Sequence, residues 1–430
     1  MLRNSSPAPS LPIGPDDRFG RARSAGAPQL LGTKARRLQH RILLRNHSIK
    51  GVFWIIDQFL ARPFLSVLRI APLIIRIGPK VRRDHGVPVW QQILDMLRLV
   101  LVHGAKPRTY YMTERYREGA MRDAGALVMR NETKHGLFKA LNRLYPQARG
   151  RARSLGDKLD FARWCAETGI PHPQPILVVE RGVVAWHGES LNDLDQDLFV
   201  KRRRSRGTRG VATYRHTGVF QYLNDERRSI TLDQLFSELV RRSRSERLIV
   251  QPFLHNHPMI ADLAGEALIV FRLLTCLDEN LRPVLTNAYL RLMAKLEPNW
   301  NVGPIQEFIA PIDIETGALG QITGDQPECL SEWFDLHPVN GVMVAGRIVP
   351  LWAELTQIAI RAHSMVSERV LIGWDVALTA EGPVMLEGNS FADVLMPQRV
   401  SRTPLGHMHI GELLDFHLDR LEVKLGAAHD

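Results

Sequence analysis

The chain has 430 residues, 45% hydrophobic and 23% charged, which leaves room for two or three domains and a sizeable core. Its formal net charge of +11 is concentrated at one end: the first fifty residues hold ten Lys or Arg against Asp16 and Asp17, leaving +3 for the rest. The basic excess therefore belongs to a tail and argues against a nucleic-acid-binding body. The three cysteines form no C-x-x-C and the sixteen histidines no H-E-x-x-H, which disfavours a zinc site or disulfide framework and fits a reducing, cytoplasmic compartment.

Residues 1–45 read as a disordered basic tail rich in Pro, Gly and Ser, without the apolar core of a signal peptide. Residues 46–153 are predicted to be a helical region; "VPVWQQILDMLRLVLVHG" has apolar positions at three and four spacing. The greasiest stretch, 51–77, is broken by charges and prolines and should not span a bilayer. Arg62, Arg69 and Arg76, seven apart, would form one basic stripe on a helix, with Phe64, Leu65, Leu68, Ile70, Leu73 and Ile74 supplying apolar surface. Such a helix either packs on the rest of the protein or makes peripheral contact with a membrane.

From residue 154 the texture changes. "SLGDKLDFARWCAETGIPHP" looks like a capped helix (Ser154, Asp157) with a Gly169–Pro171 stop, followed by the strands "PILVVE", "GVVAW" and "DLFVK", the loop "RRRSRGTRG" and the strand "VATYR". A helix over 231–242 and the strand "RLIVQPFL" complete a unit over 154–250. Residues 251–430 read as a second unit, with "ALIVFRLLTCL" turning back into "RPVLTNAYLRLM" and a hairpin signal in "IAPIDIETGALG". A helix in "PLWAELTQIAIRAHSMV", the hairpin "LIGWDVALTAEGPVMLEGN" and a final helix near 410–425 complete the chain. The whole is an α+β core behind helices.

The hairpin carries the strongest chemical signal. A three-residue loop over 380–382 would pair Asp375 with Glu387 and put Asn389 on the same face. Like charges placed opposite each other are destabilising. A hard divalent cation such as Mg²⁺ or Mn²⁺ resolves the conflict, because it takes carboxylate and amide oxygens and leaves positions open for phosphates. Cations suited to phosphate are Lys158 in a helix's first turn and Lys201 at the end of "DLFVK", just before a loop that can close over a triphosphate. Arg272 and Arg291 lie in apolar strands and each needs a partner, whether phosphate or a protein carboxylate.

In this order the features resemble the ATP-grasp superfamily, closest to the sugar-transfer-associated group related to α-L-glutamate ligases. The similarity runs over roughly 155–425 and is strongest in "HPVNGVMVAGRIVPLW" and "IGWDVALTAEGPVMLEGN". It implies an ATP-grasp fold, two α+β subdomains clamping ATP, preceded here by the helical region. By that resemblance Lys158 and Lys201 contact the nucleotide, and Ser205, Gly207 and Gly210 belong to a lid. Gln251 to Leu254 meet adenine, and Arg272, Arg291 and Asn301 face the γ-phosphate and the acceptor. Asp375, Glu387 and Asn389 hold magnesium.

The activity implied is an ATP- and Mg²⁺-dependent carboxylate ligase that joins a small-molecule or glycan-linked carboxylate to an amine-type nucleophile through an acylphosphate. A small-molecule kinase of the same fold and a non-catalytic nucleotide-binding module are the alternatives.

Overall fold

The computed structural model describes residues 30–45, 62–129, 137–145, 155–186, 188–204, 211–293, 307–324 and 330–427. The lid residues Ser205, Gly207 and Gly210, together with Asn301 and the cap candidate Ser154, lie outside them.

Two antiparallel sheets organise the chain. The first has seven strands in the order β2-β1-β7-β3-β4-β5-β6: β1 (Leu177–Glu180), β2 (Val183–Trp186), β3 (Leu198–Arg202), β4 (Ala212–Gly218), β5 (Gln221–Leu223), β6 (Ser229–Thr231) and β7 (Arg247–Pro252). The second has six in the order β11-β10-β9-β8-β12-β13: β8 (Val270–Leu277), β9 (Pro283–Met293), β10 (Glu307–Ile312), β11 (Thr323–Gly324), β12 (Leu371–Thr379) and β13 (Gly382–Asn389).

The helices that precede or flank these sheets include α1 (Leu31–Arg45), α2 (Arg62–Leu68), α3 (Ile70–His85), α4 (Val89–Leu101), α5 (Lys158–Thr168), α6 (Leu232–Ser243), α7 (Trp352–Ser364), α8 (Leu395–Val400) and α9 (His409–Ala427).

Side-chain alternation decides which face of each sheet is covered. In β3, Leu198 and Val200 join the core under α6, while Phe199 and Lys201 point the other way. The second sheet is buried on both faces, so its strands read as nearly continuous apolar runs. Leu273, Trp374 and Val376 pack with α5 and α7, whereas Leu274, Cys276 and Leu371 pack with α1 and α9. Cys165 and Cys276 are free and buried.

Three expectations are corrected. The basic tail does not run to residue 45: Leu31 to Arg45 form α1, whose Leu31, Ala35 and Leu38, on one helical face, are buried against α9. Lys34 bonds to Asp415 at 2.6 Å across that contact.

The arginine stripe is not one helix. Pro72 lacks an N–H and its ring crowds the carbonyl four residues back, at Leu68, where α2 ends. Ile70 is then buried, Leu73 and Ile74 pack against the same core, and Phe64, Leu65 and Leu68 stay exposed.

The cap of α5 is Asp157, whose carboxylate accepts from the N–H groups of Leu159 and Asp160 at 3.2 and 3.3 Å. Its other partners, Arg203 and Arg204, follow directly after β3. Burial works against the Asp157 carboxylate, but these guanidinium and backbone hydrogen bonds hold it down at about 2.

Candidate functional site

The hairpin of β12 and β13 brings Asp375 opposite Glu387, though not by the expected route. Thr379 pairs with Gly382 across a two-residue turn, so the strands start one residue out of the register foreseen. A β-bulge between Asp375 and Val376 restores it: Val376 faces Met385, and Asp375 faces Glu387. Asn389 lies on the same face, and its amide Nδ2 donates to Glu387 Oε1 at 3.1 Å. Gly388 separates the two because the reverse face is filled by Trp374, which is stacked on Trp164; a Cβ there would lie 2.7 Å from the indole.

β13 is an edge strand, and the loop after α5 occupies its free side. Met385 N–H donates to the Pro171 carbonyl at 2.8 Å, and His172 Nδ1 lies 2.7 Å from the Met385 carbonyl oxygen. Both outward backbone groups of the residue next to the bulge are thereby held. Burial and the ammonium of Lys201 push the His172 imidazole down to about 3, so it is neutral and donates from Nδ1.

Between the sheets lies a cleft with two kinds of lining. Phe199, Val211, Phe253 and Leu254 from the first sheet side face Leu268, Val270, Leu292 and Met293 from the second. The same cleft is lined by the charged side chains of Lys158, Lys201, Arg291, Glu307, Asp375 and Glu387. Gln251 sits at the wall with its side-chain amide donating to the Pro173 carbonyl, and the Phe253 N–H donates to the Asp197 carbonyl at 2.8 Å.

The charges are linked in a definite pattern. Arg272 forks onto Asp375, with Nε at 2.5 Å from Oδ1 and Nη2 at 3.0 Å from Oδ2. Arg291 forks onto Glu307 at 2.6 and 3.2 Å and approaches Asp375 at 3.8 Å. Lys158 Nζ stands 4.0 Å from Glu387.

Burial lifts the Asp375 carboxyl to about 6, with Glu387 adding to the rise and both arginines opposing it. For Glu387 burial also opposes the charge, yet Lys158 and the Asn389 amide bring the balance below its ordinary value. Lys201 is buried, and that burial together with Lys158 pushes its amine down to about 8 while Glu387 pulls back.

The candidate residues thus divide. Lys158, Lys201, Gln251, Leu254, Arg291, Asp375 and Glu387 converge on the cleft, with Asn389 beside Glu387. Arg272 is committed to Asp375 beneath it. Reading the sequence missed Glu307, Phe199 and His172. Glu307 had a signal, as a carboxylate opening the apolar run "EFIAPI" and in need of a partner, but nothing local linked it to Arg291.

Two carboxylates and an amide fit a hard cation, because a carboxylate held by one arginine keeps further lone pairs for a metal. Among the described residues no group of three His, Cys, Asp or Glu is placed to hold a metal ion. The set would therefore need the amide oxygen or a phosphate to complete it.

The family model described as sugar-transfer associated ATP-grasp matches residues 140–411, and the chain belongs to that family. A comparison with curated proteins returns no match. Solved structures it resembles include D-alanyl-alanine synthetase A from Vibrio cholerae, at 14% identity and TM-score 0.36, covering 62% of this chain and 65% of that one. VanG D-Ala:D-Ser ligase from Enterococcus faecalis matches at 12% and 0.36, covering 63% and 62%. A RimK domain ATP-grasp protein from Sphaerobacter thermophilus matches at 14% and 0.29, covering 61% and 67%. The match thus spans just under two thirds of the first two chains.

Proposed function

We propose that this protein is an ATP- and Mg²⁺-dependent carboxylate ligase, acting on a small-molecule or glycan-linked carboxylate. The general part, an ATP-dependent ligase, rests on the family to which the chain belongs. The observation that carries the finer reading is the cleft itself, lined by apolar and charged side chains together. That lining suits a flat base lying between Phe199 and Leu292, with phosphates reaching Lys158, Lys201 and Arg291.

Asp375, Glu387 and Asn389 would hold the magnesium, which when bound supplies neutralising charge to the phosphates. Arg272 keeps the Asp375 carboxylate fixed and largely ionised at neutral pH. An acceptor carboxylate oxygen would attack the γ-phosphorus as ADP departs, giving an acylphosphate. An amine would then attack the acyl carbon and release phosphate. Arg291, already near the site, would steady the acceptor or the phosphoryl oxygens. No residue need form a covalent bond; positioning and charge do the work.

The test is ATP turnover with pooled carboxylates and amines, followed by mass spectrometry. With an ¹⁸O-labelled acceptor carboxylate, label should appear in the released phosphate together with an amide-type product. A stable phosphorylated acceptor formed without any amine would replace this reading by a kinase.

A further inference from the structure

Helices α2, α3 and α4 pack on one another and send one side into a common core: Ile70, Ile77 and Val81 from α3 and Met96 and Leu99 from α4 meet Tyr110, Tyr111 and Leu330. Their outward side is not polar. In α2, Phe64, Leu65, Val67 and Leu68 are all exposed, Phe64 at 67%. In α3, Ile75 is 74% exposed. In α4, Trp90, Leu94 and Leu101 recur at the spacing of one helical stripe, with Trp90 63% exposed. Single exposed apolar residues are ordinary, but a run of them on three adjoining helices marks a surface that meets something.

The charge around this face says what. Residues 62–102 hold seven Lys or Arg against Asp84 and Asp95. Arg69 at the α2–α3 junction, Arg82 on α3 and Arg98 within the α4 stripe are exposed beside the apolar residues. A second copy of the chain is a poor occupant, because a two-fold interface brings the same patch against itself and would set one net-basic surface against another. An anionic surface with an apolar interior suits both features: the arginines meet headgroup phosphates, and Phe64, Leu68, Ile75, Trp90 and Leu94 enter the acyl boundary. A tryptophan with its ring outward is also the residue that favours the headgroup level.

We infer that the outward face of α2, α3 and α4 docks on the surface of an anionic lipid bilayer. The docking inferred is a peripheral contact; among the described residues no helix is long and apolar enough to cross a membrane. The face differs from a basic stripe on one helix: the apolar part comes from three helices, and Ile70, Leu73 and Ile74 are turned inward.

The experiment uses the full chain and sedimentation with vesicles of phosphatidylcholine alone or with phosphatidylglycerol. Binding should be at least about tenfold stronger to the anionic vesicles at low salt and should fall as salt rises. The variant carrying Ile75→Glu, Trp90→Glu and Leu94→Glu, all at exposed positions, should keep the wild-type melting curve and lose binding by at least about tenfold. A second variant, Arg69→Gln, Arg82→Gln and Arg98→Gln, should flatten the salt dependence.

Three results would overturn the inference. One is unchanged binding by the first variant. Another is loss of binding only on replacing the upstream Arg18, Arg21 and Arg23 by Ser. The third is a solution dimer that the first variant dissociates, with no vesicle binding by the wild type. None of these measurements needs ATP, so a negative outcome leaves the ligase reading standing.

Discussion

The two sheets that form the cleft handle charge in opposite ways. In the first, Lys201 is buried among Phe199, Val211 and Gln251, and burial together with Lys158 weakens its hold on a proton. In the second, burial is equally adverse, but Arg272 is met by Asp375 and Arg291 by Glu307, so both guanidinium groups are held above their ordinary values. On this wall the cations have their charge met within the chain. The other keeps a cation under strain, which an incoming anion would relieve. A site that balances every charge internally gains little from a ligand, whereas one that leaves a cation under-compensated turns that cost into affinity.

The largest effect should follow from disturbing the balanced wall where it meets the reacting groups. Glu387→Gln keeps the shape and the Asn389 contact but removes a charge. ATP turnover is expected to fall by at least about a thousandfold, the consequence of losing several kcal/mol of phosphoryl charge stabilisation. Steady-state assays over a range of Mg²⁺ concentrations check this, and turnover within tenfold of wild type would detach the hairpin from the chemistry.

The strained wall gives the next effect, with two signs. Lys201→Met should weaken ATP binding by about ten- to a hundredfold, since a charge-assisted hydrogen bond is worth about 1.5–3 kcal/mol. It should also raise the melting temperature at pH 7. The folded-state value of Lys201 lies below its unfolded one, so its contribution is present above about pH 10 and lost as pH falls through about 8. At pH 7 the charged amine is a net cost that methionine removes. Calorimetric titration at pH 8.5 in two buffers should also detect proton uptake on ATP binding, absent in the variant.

A third expectation concerns pH and Asp375. Its folded-state value, about 6, lies above the ordinary 3.8, so its contribution is complete below about pH 4 and lost as pH rises through 6. Melting curves should therefore show wild type losing stability relative to Asp375→Asn between pH 4 and 6, with a constant difference above. A difference that stays level throughout would mean that Arg272 outweighs burial.

The smallest effect tests the link between the walls. His172→Leu removes one hydrogen bond to Met385, worth about 1 kcal/mol. It should raise the Mg²⁺ concentration needed for half-maximal turnover while leaving ATP affinity without metal nearly unchanged. His172→Asn, which can still donate to that carbonyl, should restore much of the difference. Equal losses of ATP affinity in both variants would place His172 in the nucleotide wall instead.

Much of the fold was legible because its strands are long apolar runs broken by turn residues, as in "ALIVFRLLTCL" before "DEN". The pairing of Asp375 with Glu387 was legible too, although a two-residue turn and a bulge replaced the single loop imagined; pattern fixes which face a residue takes more firmly than it fixes a turn. Helix α1 was hidden by its arginines, even though Leu31, Ala35, Leu38 and Ile42 have helical spacing. Asp157 and Glu307 were obscure for another reason. Their guanidinium partners stand 46 and 16 residues away, and only the assembled sheets bring them together.

The bulge beside Asp375 has a consequence for how this protein can change over generations. It separates the tip of the hairpin from the residues that matter, because the phase of β13 is reset after the turn and secured by Pro171 and His172 from outside. Lineages can therefore vary the loop at 380–381, even in length, without rotating Glu387 and Asn389 away from the cleft. Even loss of the single residue Leu386 would keep that face: it would remove the bulge and straighten the strand into one unbroken ladder, with Val376 still opposite Met385 and Asp375 still opposite Glu387.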